Sequence, residues 1–353
     1  MPSAATSSTS PVSGPVVSRS VQAPAINWGQ LRLHVVTGKG GTGKTTIAGA
    51  LALSLARGGR RVLVMEVEGR QGLAQLFDTA PLPYAERHVA VAPGGGEVWA
   101  LAVDPEEALL EYLELFYKMR RAGSALRRIG AIEFATTIAP GMRDVLLTGK
   151  AMEATKRMRD GRPVYDAVVL DAPPTGRITR FLNVNSEVAG LAKVGPIKSH
   201  ADKVMSVIKS PRTAVHFVSV LEEMPVQETV DGVAELHSAG ILVGAVVVNM
   251  HRGSHLNATQ LRSALKETLP HDAITASLDE AGLGRDHKSL TDIVNELCDQ
   301  AHGNALRVKL ETSERQELER LGQPIYTLPL LSGGADLSGV YELSAMLTSQ
   351  GIA

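Results

Sequence analysis

Apolar residues fall along this chain in short, nearly unbroken runs. The runs at 61–65, 98–103, 167–170, 215–220 and 243–248 are rich in Val, Leu and Ala, and 31–36 alternates apolar with polar positions just before a glycine-rich turn. Such runs predict strands buried on both faces. Segments of helical pattern separate most of them, and a late run at 325–328 adds another strand. The pattern predicts an α/β fold: a doubly wound, mostly parallel sheet whose ligand sits beyond the carboxyl ends of the strands. No internal repeat is visible.

Two helical stretches, about 104–160 and 177–210, are longer than ordinary crossovers and read as insertions in a single domain spanning 28–353. In the first, Leu109, Leu113, Phe116 and Arg120, flanked by Tyr112 and Tyr117, share one broad apolar and aromatic face, while Glu107, Glu111, Glu114 and Lys118 read as solvated. That face either packs on the protein's own core or meets a hydrophobic partner.

Residues 1–27 are rich in Ser, Ala and Pro and read as a disordered tail. No run approaches the roughly 18 apolar residues of a membrane span, so stable membrane insertion is not expected. A net charge of −1 with no long Lys/Arg block argues against nucleic acid. The single cysteine, Cys298, reads as a buried helical residue and excludes an intrachain disulfide, consistent with a cytoplasmic protein.

The most specific motif is Gly38-Lys39-Gly40-Gly41-Thr42-Gly43-Lys44-Thr45-Thr46, a match to G-x-x-x-x-G-K-[ST] with an added lysine after its first glycine. A triphosphate must be held by many donors at once, and a glycine-rich turn brings backbone N–H groups close to it with no Cβ in the way. Lys44 supplies a point charge, and Thr45 is placed to ligate Mg²⁺, which keeps most of its waters. The buried helix predicted at 47–56 would aim its N-terminus at the anion.

Four further positions join this loop. Asp171 ends an apolar strand and opens Asp171-Ala172-Pro173-Pro174-Thr175-Gly176, where a carboxylate would hold Mg²⁺ or a water on it. Glu68, in Glu66-Val67-Glu68-Gly69-Arg70-Gln71-Gly72, either orients an attacking water or caps the helix predicted at 72–77. Asn249 closes the strand at 243–248 with an amide suited to an adenine edge. Pro329 follows the strand at 325–328 and could wall the base.

Taken together, GKGGTGKTT, DAPPTGRITRFL from Asp171, VVVN ending at Asn249 and LPLL near Leu328 resemble the ArsA-like ATPases, the arsenite-pump and tail-anchored-protein-targeting family with a deviant phosphate loop of the SIMIBI type. EVEGRQG and the run 134–150 look like an actinobacterial branch in which two related ATPases occur as a pair. The resemblance implies ATP/ADP and Mg²⁺ as cofactors, with Lys44, Thr45 and Asp171 in phosphate and magnesium roles and Asn249 on adenine. It also implies that Lys39 reaches the nucleotide of a partner subunit across a homodimer, or a heterodimer with a related ATPase, that handles a hydrophobic or membrane-protein client or drives transport. Where the family has a water-positioning aspartate in D-P-A-H, this chain has Glu68-Gly69-Arg70-Gln71. Displacing such a carboxylate by about 1 Å can cost roughly 100-fold. The expectation is therefore a dimeric ATPase, with a non-hydrolysing scaffold subunit as the alternative. Neither a zinc-binding C-x-x-C nor the metalloid-sensing cysteines of some members is present.

Overall fold

A computed structural model describes residues 26–117, 141–191, 196–283 and 287–352, with backbone alone at 112–113, 115–117, 187–191, 196–197 and 287–288. Eight strands form one sheet in the order β10-β9-β8-β1-β7-β2-β4-β3. They are β1 (Leu33–Gly38), β2 (Arg61–Glu66), β3 (Arg87–Ala92), β4 (Gly96–Ala102), β7 (Ala167–Asp171), β8 (Thr213–Ser219), β9 (Val243–His251) and β10 (Ile325–Pro329). All neighbours are parallel except β3, which runs antiparallel to β4. The doubly wound α/β expectation holds.

Alternation along the strands divides the interior into two cores. Leu63, Met65, Val168, Leu170, Val215 and Phe217 face one side, where Leu109, Leu146, Leu147, Phe181, Leu182 and Val204 meet them. Val62, Val64, Val169, Ala214 and Val218 face the other, against α1 (Lys44–Ala56) and the helix Leu337–Ser349. Every residue from Ile47 to Ala56 is buried, so α1 needs no polar face. Its one deeply buried hydroxyl, Ser54 Oγ, donates to Ser344 O at 3.1 Å.

The structure corrects several details of the sequence reading. The first long helical stretch ends at Lys156, and a two-stranded hairpin, β5 (Met158–Arg159) with β6 (Arg162–Pro163), occupies the rest. The second begins at Thr175 and ends at Ile208. These helices cover the sheet, and Leu109 of the apolar stripe is buried in the core. The side chains of Tyr112, Leu113, Phe116 and Tyr117, together with Lys118 and Arg120, lie outside the described residues. Glu111 is not simply solvated: it accepts from Tyr84 Oη at 2.5 Å and from Lys150 Nζ at 2.8 Å. Cys298 is helical but only partly buried. The N-terminal tail up to residue 25 is also outside the described residues. Among these, no helix is long and apolar enough to cross a membrane.

Toward the amino ends of the strands, His34 and His216 are buried side by side, with His34 Nδ1 3.1 Å from His216 Nε2. Trp28 stacks on both rings and donates through Nε1 to Tyr326 Oη at 3.1 Å. One ring must donate and the other accept, so the two cannot both be charged. Burial pushes both below the usual histidine range, His216 to about 3, and its neighbouring ring and Arg60 add to the effect on His34. The unfolded chain protonates these rings near pH 6.5 and the folded one does not, so stability is present above that pH and falls as pH drops. Between pH 7 and 5 His216 should cost about 2 kcal/mol, with His34 adding in the same direction. Urea titration should show the loss, and the double variant His34→Gln with His216→Gln should flatten it.

Candidate functional site

The carboxyl ends of β1, β7, β2, β8 and β9 converge on the 38–46 loop. Gly38 carries φ +155°, and a Cβ there would sit 2.1 Å from Val218 O, so the neighbouring strand permits only glycine. Past it the loop closes on one carbonyl: Lys39 O accepts from Thr42 Oγ1 at 2.9 Å and from Lys44 Nζ at 3.3 Å. α1 opens with Gly43 as its N-cap at φ +86°, with no side chain capping its first turn. Its leading N–H groups, at Lys44, Thr45 and Thr46, are thus left for an anion. Burial lowers the Lys44 ammonium below its usual range, opposed by Asp171, Glu68 and Glu228.

Asp171 is the last residue of β7 and 6% exposed. Its Oδ2 accepts from Thr45 Oγ1 at 2.6 Å, and its Oδ1 has no partner. Burial raises the carboxyl to about 7; the Thr45 hydrogen bond and Lys44 oppose this, while Glu66 and Glu68 add to it. A buried carboxylate with one bare oxygen beside a threonine hydroxyl is a hard-oxygen donor set, which fits Mg²⁺ with phosphates and water completing the shell. Among the described residues no three His, Cys, Asp or Glu side chains gather to hold a metal unaided. The next segment is fixed to β1, with Ala172 N donating to Val36 O at 2.9 Å and Thr37 Oγ1 to Pro173 O at 2.8 Å. Thr175 then starts the helix Thr175–Leu191, buried and with its hydroxyl unpaired.

Glu68 lies in the loop between β2 and α2 (Gly72–Leu76), with Oε2 3.8 Å from Arg70 Nε. It is near enough to raise both the Lys44 ammonium and the Asp171 carboxyl. It does not cap α2. Glu66 does, accepting from Leu73 N at 3.0 Å. The sequence reading passed over Glu66, although a carboxylate closing an apolar strand beside the loop was the signal that picked out Asp171.

Asn249 lies inside β9, two residues before its end, and is buried. Its Nδ2 donates to Thr42 O at 2.9 Å, so the amide braces the phosphate loop and keeps its oxygen for another partner. Met250 follows at φ +54°, a left-handed turn that a methionine adopts only under constraint. Pro329 is the last residue of β10, opposite His251. Lys39 turns back onto its own chain and pairs with Glu228 of the helix Glu223–Ser238, another partner that the sequence reading did not single out.

Residues 31–211 match the family model described as anion-transporting ATPase. The ATPase BagA of Mycobacterium tuberculosis is 49% identical over 323 residues, covering 91% of this chain and 94% of that protein. An arsenical pump-driving ATPase of Acidiphilium multivorum is 27% identical over 60% of this chain and 38% of its own length. The ATPase get3 of Schizosaccharomyces japonicus is 28% identical over 48% of this chain and 49% of its own.

The loop geometry makes Gly43 a sensitive position that can be probed without displacing a strand. A Cβ there would lie 2.4 Å from Asn249 Nδ2, and φ +86° is strained for any other residue. Gly43→Ala should weaken binding of a fluorescent ATP analogue by at least about tenfold while the circular dichroism spectrum stays native. Adding Asn249→Ala removes the contact but not the backbone strain, so recovery should be partial.

Proposed function

Because the chain belongs to the anion-transporting ATPase family, we propose that it binds ATP with Mg²⁺ at the 38–46 loop, hydrolyses it, and uses nucleotide state to control a dimer that serves a hydrophobic or membrane-protein client. The observation that carries this reading is the Thr45–Asp171 contact at 2.6 Å under the N-terminus of α1, with a bare carboxylate oxygen beside it.

Thr45 and Asp171 would hold the ion, which neutralises phosphate charge when bound. The leading N–H groups of α1 and Lys44 would bind the β- and γ-phosphates, Lys44 exchanging its contact with Lys39 O for phosphate oxygen. Glu68, on the loop facing Lys44 and Asp171, would orient the attacking water and accept its proton. Lys39 would leave Glu228 to reach a partner subunit's nucleotide, so closure trades one ion pair for another. Asn249 and Pro329 border the place for the base.

Client control would pass through contacts that tie the site to the covering helices. Arg143, on the helix Met142–Lys156, donates to Val67 O at 3.2 Å, one residue before Glu68. Asp144 lies 3.8 Å from Arg177 on the helix that Thr175 opens. A cavity of about 380 Å³ lies farther along, lined by Ala108, Leu146 and Met152 together with Lys150 and Glu153. Movement of the Glu68 loop would therefore reach that cavity through one helix.

Turnover assays test the reading. Lys44→Ala should reduce ATP hydrolysis to background. Glu68→Gln should lower it about 100-fold while ATP still binds. Equal, low turnover in the wild type and Glu68→Gln would instead favour a scaffold subunit that acts with a related ATPase. Lys39→Ala should keep ATP binding and lose ATP-dependent dimerisation, as read by light scattering.

A further inference from the structure

We propose that Glu66 is a second carboxylate of the cation site, linking the ion to the position of the Glu68 loop. This rests on the Mg²⁺–nucleotide reading above.

Glu66 closes β2 in parallel register with Asp171, the residue that closes β7. Adjacent parallel strands lie about 4.8 Å apart, and register partners point to the same face. Here that is the α1 face, since Val62 and Val64 of β2 and Ala167 and Val169 of β7 all join the core that α1 covers. Two carboxylates thus stand side by side beneath Thr45, one 2% and the other 6% exposed. A point at the Cβ position of Gly72 is 3.7 Å from both Glu66 Oε2 and Thr45 Oγ1, which places them around one small volume.

Each carboxylate has one oxygen satisfied and one bare. Asp171 Oδ2 takes the Thr45 hydroxyl and Glu66 Oε2 takes the Leu73 N–H, leaving Asp171 Oδ1 and Glu66 Oε1 without partners. A residue that served only to cap α2 would not need a formal charge buried against a second carboxylate, because a neutral side chain caps as well. Two adjacent buried carboxylates with bare oxygens are compensated by a divalent cation or by waters on one. Because Glu66 also holds the first turn of α2, the same carboxylate would transmit occupancy of the cation site to residues 68–72. It is a positioning residue, acting through the ion's water shell and the loop.

Glu66→Gln separates this from a structural role. The amide oxygen can still accept from Leu73 N, and the amide nitrogen can donate to Asp171 Oδ1. Without metal the variant should melt about 2 °C or more above the wild type. With ADP bound, it should need about tenfold more Mg²⁺ for half-maximal thermal stabilisation. ADP affinity in EDTA should hold or rise, since no phosphate donor is altered and one negative charge beside the phosphates is removed. Trypsin supplies a loop readout at Arg70, whose side chain is 78% exposed: Mg²⁺ with ADP should change the cleavage rate in the wild type and not in the variant. An unchanged Mg²⁺ half-saturation with a lowered melting temperature would overturn the proposal and leave Glu66 a helix cap. Failure of the wild type to bind ADP at all would instead sink the nucleotide reading.

Discussion

The packing of negative charge at the carboxyl ends of β2 and β7 is the constraint from which the rest of the site follows. Asp171 and Glu66 are buried in register on one face. An isolated pair of buried carboxylates is costly, and burial with charge repulsion already raises Asp171 to about 7. Lys44 and the N-terminus of α1 oppose that charge, yet Lys44 is itself lowered by burial. The site thus sets two buried carboxylates against one ammonium and one helix N-terminus. Adding a phosphate group alone would worsen the imbalance, whereas a divalent cation beside the phosphates corrects it. Nucleotide and Mg²⁺ are then expected to bind as a unit.

Neighbouring strands brace the phosphate loop and the Asp171 segment beside it. Val218 O of β8 presses on Gly38, Asn249 of β9 holds Thr42 O, and Thr37 of β1 ties the Asp171 segment in place. By contrast, the loop from Glu68 to Gln71 is held by few contacts: a long Glu68–Arg70 approach and the hydrogen bonds of Gln71 with Leu82. Gly69 and Gln71 both take positive φ there. A fixed cradle facing a lightly held loop lets ligand binding move one side of the site without distorting the other.

The sequence exposed those parts of the molecule that follow from period and local chemistry. Strands buried on both faces appear as unbroken apolar runs, so β2, β7, β8 and β9 could be read directly, and the glycine-rich loop has a spacing that few other structures need. β3 was not legible because its inward residues are Ala90 and Ala92, while Val91 is 53% exposed, which inverts the usual alternation. The helices Ala258–Leu265 and His271–Glu280 bury little, only Ala264 in the first and no residue in the second, so no core-facing apolar run marks them, although Asn257 and Gln260 form a capping box at the start of the first. Asp171 was legible because it closes an apolar strand beside the loop. Glu66 closes β2 in the same way, but that it stands beside Asp171 is set only by the register between β2 and β7. Cross-strand position is a property of the fold that no linear pattern carries.

The two lysines of the loop show how neighbouring residues of like charge come to serve different ends. Lys44 is the first residue of α1, more than half buried, and its carbonyl contact lies within the loop. In the proposed reading it would serve the phosphates bound by its own chain. Lys39 sits at the rim, about a third exposed, turned back onto Glu228 of the helix Glu223–Ser238. A half-exposed ion pair of this kind contributes on the order of 1 kcal/mol or less, so it orients Lys39 without committing it. A phosphate from a second subunit carries more charge than one carboxylate and accepts more hydrogen bonds, so it can displace Glu228 at small cost. Under the proposed reading, the weakness of the Lys39–Glu228 pair is what would make the lysine available to a partner.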